Sequence, residues 1–185
     1  MGIPRLLSPG DCVPIVIPTI LLVAGAVAAI SDVCTGKIPN WLTYSLAAVA
    51  FVLHSILGPY AGMLALLVMI AVLAASLPVF SCGWLRGGDV KMIVACSGLV
   101  SVAFCVPFLL WTMFCGGILA LLVAWRFGTL KESFLSVGAT VHPLLRGVVP
   151  RALPFTTNKI PYGVAIFGGA LLTALAMTAV PALRL

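Results

Sequence analysis

Charged residues interrupt this chain so seldom that the uncharged stretches between them measure its architecture. Residues 12–31 carry no charge, and neither do 38–85, 92–125 or 160–183. An α-helix needs about 20 apolar residues, with a range of about 17–25, to cross the hydrocarbon core of a bilayer. The first and last stretches each fit one helix. The stretch 38–85 fits two, with Gly58-Pro59 as the natural turn. The stretch 92–125 is long for one span and tight for two, and Pro107, beyond Ser97 and Ser101, is the expected break. The pattern therefore predicts six spans, near 13–31, 41–58, 60–81, 90–105, 107–125 and 161–181.

Composition sharpens this into a fold class. Apolar residues make up 63% of the 185 and charged residues 8%, with a mean hydropathy of +1.27. A soluble domain of this size cannot hide that much apolar surface. The expectation is an all-α polytopic membrane bundle forming one domain over residues 1–185. The early arginine and the apolar run beyond it read as a retained first span, since no small-residue cleavage site follows. The six cysteines form no C-x-x-C pair, so neither a zinc site nor a disulfide framework is expected.

The net charge of +6 does not indicate nucleic acid, because the basic residues stand singly between apolar runs. They set topology and meet anionic lipid headgroups instead. Six spans put three loops, 32–40, 82–91 and 126–160, on one side. Those loops hold Lys37, Arg86, Lys91, Arg126, Lys131, Arg146, Arg151 and Lys159, eight of the ten basic residues. Treating 92–125 as a single span would move the last loop across and abolish the asymmetry. The positive-inside rule thus selects six helices with both termini outside. The long loop 126–160 mixes Leu, Val and Phe with Arg and Lys and is expected at the interface.

Only four acids remain to be placed: Asp11, Asp32, Asp89 and Glu132. Asp32 closes the inner end of the first span and Asp89 opens the fourth, so both lie on one side at one depth. Two carboxylates that approach closely do not both ionise easily, and one then serves as acid while the other serves as base. Such a pair can activate water against a peptide bond without metal or cofactor. Aspartates at helix ends also serve as caps or solvated interfacial residues, and composition alone leaves both readings open. A proton- or ion-coupled carrier using the same two acids is the alternative. Carriers place such groups near the bilayer midplane, however, and here both mark helix ends.

The residues around these acids carry a resemblance. "DVCTGKIPN" (32–40) puts an aspartate before Ile-Pro-Asn, and "RGGDVK" (86–91) puts a second before x-Lys. "IPYGVAIFGG" (160–169) opens the last span. In this order they resemble the type IV prepilin peptidases, polytopic aspartic proteases whose second motif is Gly-x-Gly-Asp. The resemblance implies that Asp32 and Asp89 are catalytic, with Gly87, Gly88, Lys91, Pro39 and Asn40 as supporting motif residues. It implies a prepilin or pseudopilin substrate whose short basic leader is cut at the membrane boundary, in a bacterial inner membrane with the site facing the cytoplasm. Longer family members carry a cysteine-rich segment and methylate the new amino terminus. Its absence here implies peptidase activity alone, as in members serving Flp or tight-adherence pili. Arg86 departs from the family pattern by replacing the first motif glycine.

The remaining candidates have ordinary readings beside the functional ones. Gly87 and Gly88 permit unusual backbone angles or a close substrate. Lys37 and Lys91 either tune the acids or snorkel to the inner face. Asn40 is expected to cap the second helix, with Pro39 fixing the approach. Tyr162, at the head of the last helix, either reaches the site with its hydroxyl or, as the ordinary reading has it, belongs to an interfacial belt. His54 reads as a core histidine, and Gly116-Gly117 and Gly168-Gly169 as helix-packing glycines.

Overall fold

A computed structural model describes residues 9–100, 102–128 and 161–179. Among them are six helices and no strand: α1 (Pro9–Thr35), α2 (Asn40–Leu57), α3 (Pro59–Ser81), α4 (Gly87–Leu99), α5 (Val102–Arg126) and α6 (Tyr162–Ala179). Five of these, all but α4, are long and apolar enough to span a bilayer. The expected interfacial loop, with Glu132 and His142, lies outside the described residues.

The interior is mainly apolar, but so is the outer surface, and several polar side chains are buried. Large apolar side chains such as Ile56, Leu67, Ile70 and Met113 face outward, whereas Thr43, Ser97 and Thr173 are buried. Each of these buried hydroxyls bonds a carbonyl of its own helix: Thr43 to Asn40 at 2.9 Å, Ser97 to Ile93 at 2.8 Å, Thr173 to Gly169 at 2.8 Å. His54 does the same through Nδ1 to the Ala50 carbonyl at 2.9 Å, in line with a core histidine. In hydrocarbon no water can satisfy these groups, so local bonding is what makes their burial tolerable.

Close-packed glycines fix the register between helices. Gly163 lies against Ala28 and Asp32, and Gly25 against Phe167 and Ala170, so α1 and α6 run antiparallel. Gly116 lies against Tyr162 and Gly169 against Thr112, which sets α5 antiparallel to α6 as well. On the other side Gly98 packs on Met69 and Gly87 near Phe80, pairing α3 with α4. Three of the four anticipated packing glycines meet a neighbouring helix, whereas Gly117 has nothing within 4 Å. The result is two groups of three helices. In one, α6 lies between α1 and α5; in the other, α2, α3 and α4 pack mutually. Helix α4 also touches α1, α5 and α6, which makes it the seam.

The break in 92–125 differs from expectation. It falls at Val100, which is extended (ψ 151°), and Pro107 sits inside α5. Proline removes one ladder bond and crowds the carbonyl four residues earlier. That carbonyl belongs to Ala103, the second residue of α5, so the lost bond falls in the first turns of the helix and not at mid-span. Moving the break forward leaves α4 with 13 residues. At about 1.5 Å per residue it covers about 20 Å, short of the roughly 30 Å of hydrocarbon.

Candidate active site

Asp32 sits three residues before the end of α1, and Gly36 stops that helix. Gly36 takes φ 65° and its N–H donates to the Asp32 carbonyl at 2.8 Å. This is the left-handed closure that glycine supplies without a Cβ penalty. Ser31 and Thr35 hydroxyls donate to the Lys37 carbonyl at 3.0 and 3.1 Å, so the turn into Pro39 is fastened from within. The Asp32 side chain is 4% exposed, and its Oδ2 accepts the Gly163 N–H at 2.7 Å. The donor is the second residue of α6, one of the backbone N–H groups that a helix start leaves without an internal partner. No side chain larger than hydrogen fits there. A Cβ on Gly163 would lie 2.8 Å from the Asp32 Cβ and 2.9 Å from the Ala28 carbonyl oxygen.

Asp89 occupies the first turn of α4 and is 5% exposed. Its Oδ2 accepts the Arg86 N–H at 3.1 Å, an acidic side chain closing the start of its own helix. Burial, above all, pushes the Asp89 carboxyl up to about 6 from an ordinary 3.8. The Arg86 N–H opposes this, the Asp32 charge adds to it, and the Arg86 charge opposes it again. The Asp32 charge therefore reaches Asp89, whose carboxyl keeps its proton well above the usual carboxylate range. A cleft of about 280 Å³ opens beside Asp32, lined by Val33, Cys34, Thr35, Gly36, Arg86 and Pro161.

The supporting motif residues take roles of their own. Lys91 reaches from α4 to α2, donating to Asn40 Oδ1 at 3.2 Å and to the Tyr44 hydroxyl at 3.0 Å, with the ammonium 5.0 Å from the Tyr44 ring centre. Two motif residues distant in sequence thus bond each other. Asn40 does not cap α2; it is the first helical residue, and extended Pro39 precedes it without a side-chain cap. The asparagine side chain is taken by Lys91 instead. Gly87 and Gly88 both lie in α4, and neither has a positive φ. Gly88 meets Ile38 at ordinary packing distance. Tyr162 turns inward against Gly116 and the core, away from an interfacial belt.

The pattern of the type IV leader peptidase family matches residues 19–121, more than half of the chain. The chain belongs to the type IV leader peptidase family. The matched stretch contains both aspartates with their flanking motifs. No curated protein and no solved structure gives a match. This leader peptidase is thus a multi-pass membrane protein whose family cleaves prepilin-type precursors. Three of its site features escaped the sequence reading: the Gly163 donor, the Gly36 closure and the Tyr44 partner of Lys91. The Gly36 closure had a signal, a glycine two residues before Ile38-Pro39 at the end of an apolar run. The other two depend on helices meeting across the bundle.

Proposed function

We propose that this peptidase is an aspartic endopeptidase in which Asp32 and Asp89 form the catalytic dyad. The observation that carries the reading is two carboxylates buried at one end of the bundle, with the charge of one helping to raise the pKa of the other. Asp32 acts as the base. Its Oδ2 is fixed by the Gly163 N–H, which leaves Oδ1 to take a proton from water as the water oxygen attacks the scissile carbonyl carbon. Asp89 acts as the acid and gives its proton to the carbonyl oxygen, forming a neutral tetrahedral diol. Collapse of the diol breaks the C–N bond. The amine leaves with the proton held by Asp32, and Asp89 recovers its own from the diol hydroxyl. Both acids return to their starting states.

The substrate that fits is a prepilin of the type IV or Flp class, with a short basic leader ahead of an apolar helix. Such a helix rests in the bilayer beside the bundle and brings the leader junction to the membrane boundary, the depth at which Asp32 and Asp89 close α1 and open α4. The described basic residues Lys37, Arg86, Lys91 and Arg126 lie at this same helix end, which supports a cytoplasmic site in the inner membrane by the positive-inside rule. The test is cleavage of a leader-bearing precursor by the reconstituted full chain carrying Asp32→Asn or Asp89→Asn. Each is expected to lose at least about 100-fold in rate, the usual scale of a general acid or base. Unimpaired cleavage by either variant overturns the dyad.

A further inference from the structure

We propose that Arg86 is a positioning residue that fixes the placement of Asp32 relative to Asp89 through the α1–α2 turn. The proposal rests on the dyad reading above. The two aspartates ride on different halves of the bundle: Asp32 on α1, which packs mainly on α6, and Asp89 on α4, which packs mainly on α2 and α3. Direct packing between α1 and either α2 or α4 is sparse. Something must hold the two carboxylates in register across that seam, because hydrolysis by a dyad tolerates little misplacement.

Three hydrogen bonds in series span it. Gly36 N–H donates to the Asp32 carbonyl at 2.8 Å. Arg86 Nη1 donates to the Gly36 carbonyl at 3.0 Å, joining positions 50 residues apart. Arg86 N–H donates to Asp89 Oδ2 at 3.1 Å. One residue thus holds the helix end that carries Asp32 with its side chain and the Asp89 carboxylate with its backbone. The arginine stands where the family pattern has glycine, which has no side chain to make the middle link. Its guanidinium is exposed at the cleft wall, so the tie is made in water's reach and costs no buried charge. Lysine carries its charge on a compact ammonium at the end of a differently shaped stem, so it does not place a donor where Nη1 stands.

Arg86 also faces Asp89 electrically, together with Asp32 from α1 and Tyr162 from α6. This gives the test a readout that a merely structural tie would not move. The full chain, reconstituted in liposomes, is assayed on a leader-bearing precursor across pH as wild type, Arg86→Gln, Arg86→Lys and Asp89→Asn. Arg86→Gln is expected to lose about tenfold in kcat, the worth of one charge-assisted bond, with KM within about twofold. Its alkaline limb should move to higher pH, because a charge that favours Asp89 ionisation is gone. Arg86→Lys should lose kcat while keeping the limb in place. Hydrogen exchange across residues 33–38 should speed up in both variants. Unchanged kcat and exchange overturn the proposal, and so does a raised KM at full kcat, which would make Arg86 a substrate contact. Cleavage by Asp89→Asn overturns the dyad itself and this proposal with it; a dead Asp89→Asn beside a fully active Arg86→Gln overturns the positioning role alone.

Discussion

Asp89 is a residue whose charge the fold resists. Its carboxyl titrates near 6 in the folded protein against 3.8 in the open chain, so folding favours the protonated form. The sign follows directly: stability is greatest below about pH 4, falls as pH rises towards about 6, and is flat above. Asp89→Asn keeps an acceptor for the Arg86 N–H and removes the buried charge. It should raise the thermal midpoint at pH 8, with a ceiling of about 3 kcal/mol, and leave it unchanged at pH 4; melting in detergent at the two pH values checks this. A gain in stability with loss of cleavage is the mark of a residue kept for chemistry. Gly163 makes a second test. Gly163→Ala has no room beside Asp32 and Ala28, so α6 must shift and the Asp32 bond must lengthen, with an expected loss of cleavage of tenfold or more on the order of a lost charged hydrogen bond. Gly117→Ala, with open space around it, should leave cleavage intact. The aspartates were legible in the sequence because acids are so scarce in it. Gly163 was not, because its N–H meets Asp32 only when α6 lies against α1, 131 positions away.

At the scale of elements, charge-free stretches gave the number of helices correctly and one boundary incorrectly. Arg and Asp mark the ends of spans sharply because burying them in hydrocarbon is costly. Proline is a weaker mark in a membrane, where neighbouring helices compensate the lost bond, and Pro107 shows this inside α5. The α5–α6 pairing depends on close approach. A Cβ added to Gly169 would lie 2.8 Å from the Thr112 main chain, and one added to Gly168 would lie 2.9 Å from Cys115 Sγ. Thr112 Oγ1 is buried there without a partner among the described residues. Gly169→Val must push α5 away and should lower the thermal midpoint, the cost in stability being about 1–3 kcal/mol for overpacking. Thr112→Val removes the unpartnered hydroxyl and should be neutral or stabilising. Melting of both variants under one condition separates the two effects.

For the molecule as a whole, two three-helix groups meet along α4, with the acids at one end of the seam. The sequence predicted which helix ends share a pole, since the described ends of all three expected inner loops lie there. It did not predict the grouping, which follows from small residues meeting across the bundle rather than from any periodic stripe. Orientation has a direct readout in Cys34, which is exposed beside Asp32, whereas Cys82, Cys96 and Cys105 are buried. A membrane-impermeant maleimide should modify Cys34 in inside-out vesicles and spare it in right-side-out ones, as read by peptide mass. The reverse pattern would place the site on the opposite face.

The shortness of α4 decides what keeps the second acid in place. A 13-residue helix has too little apolar length to keep a transbilayer position by partition alone. It stays in place because Met92, Cys96 and Leu99 are enclosed by the neighbouring helices. The place of Asp89 at the seam therefore depends on the packing of the surrounding helices and not on the apolar length of its own helix.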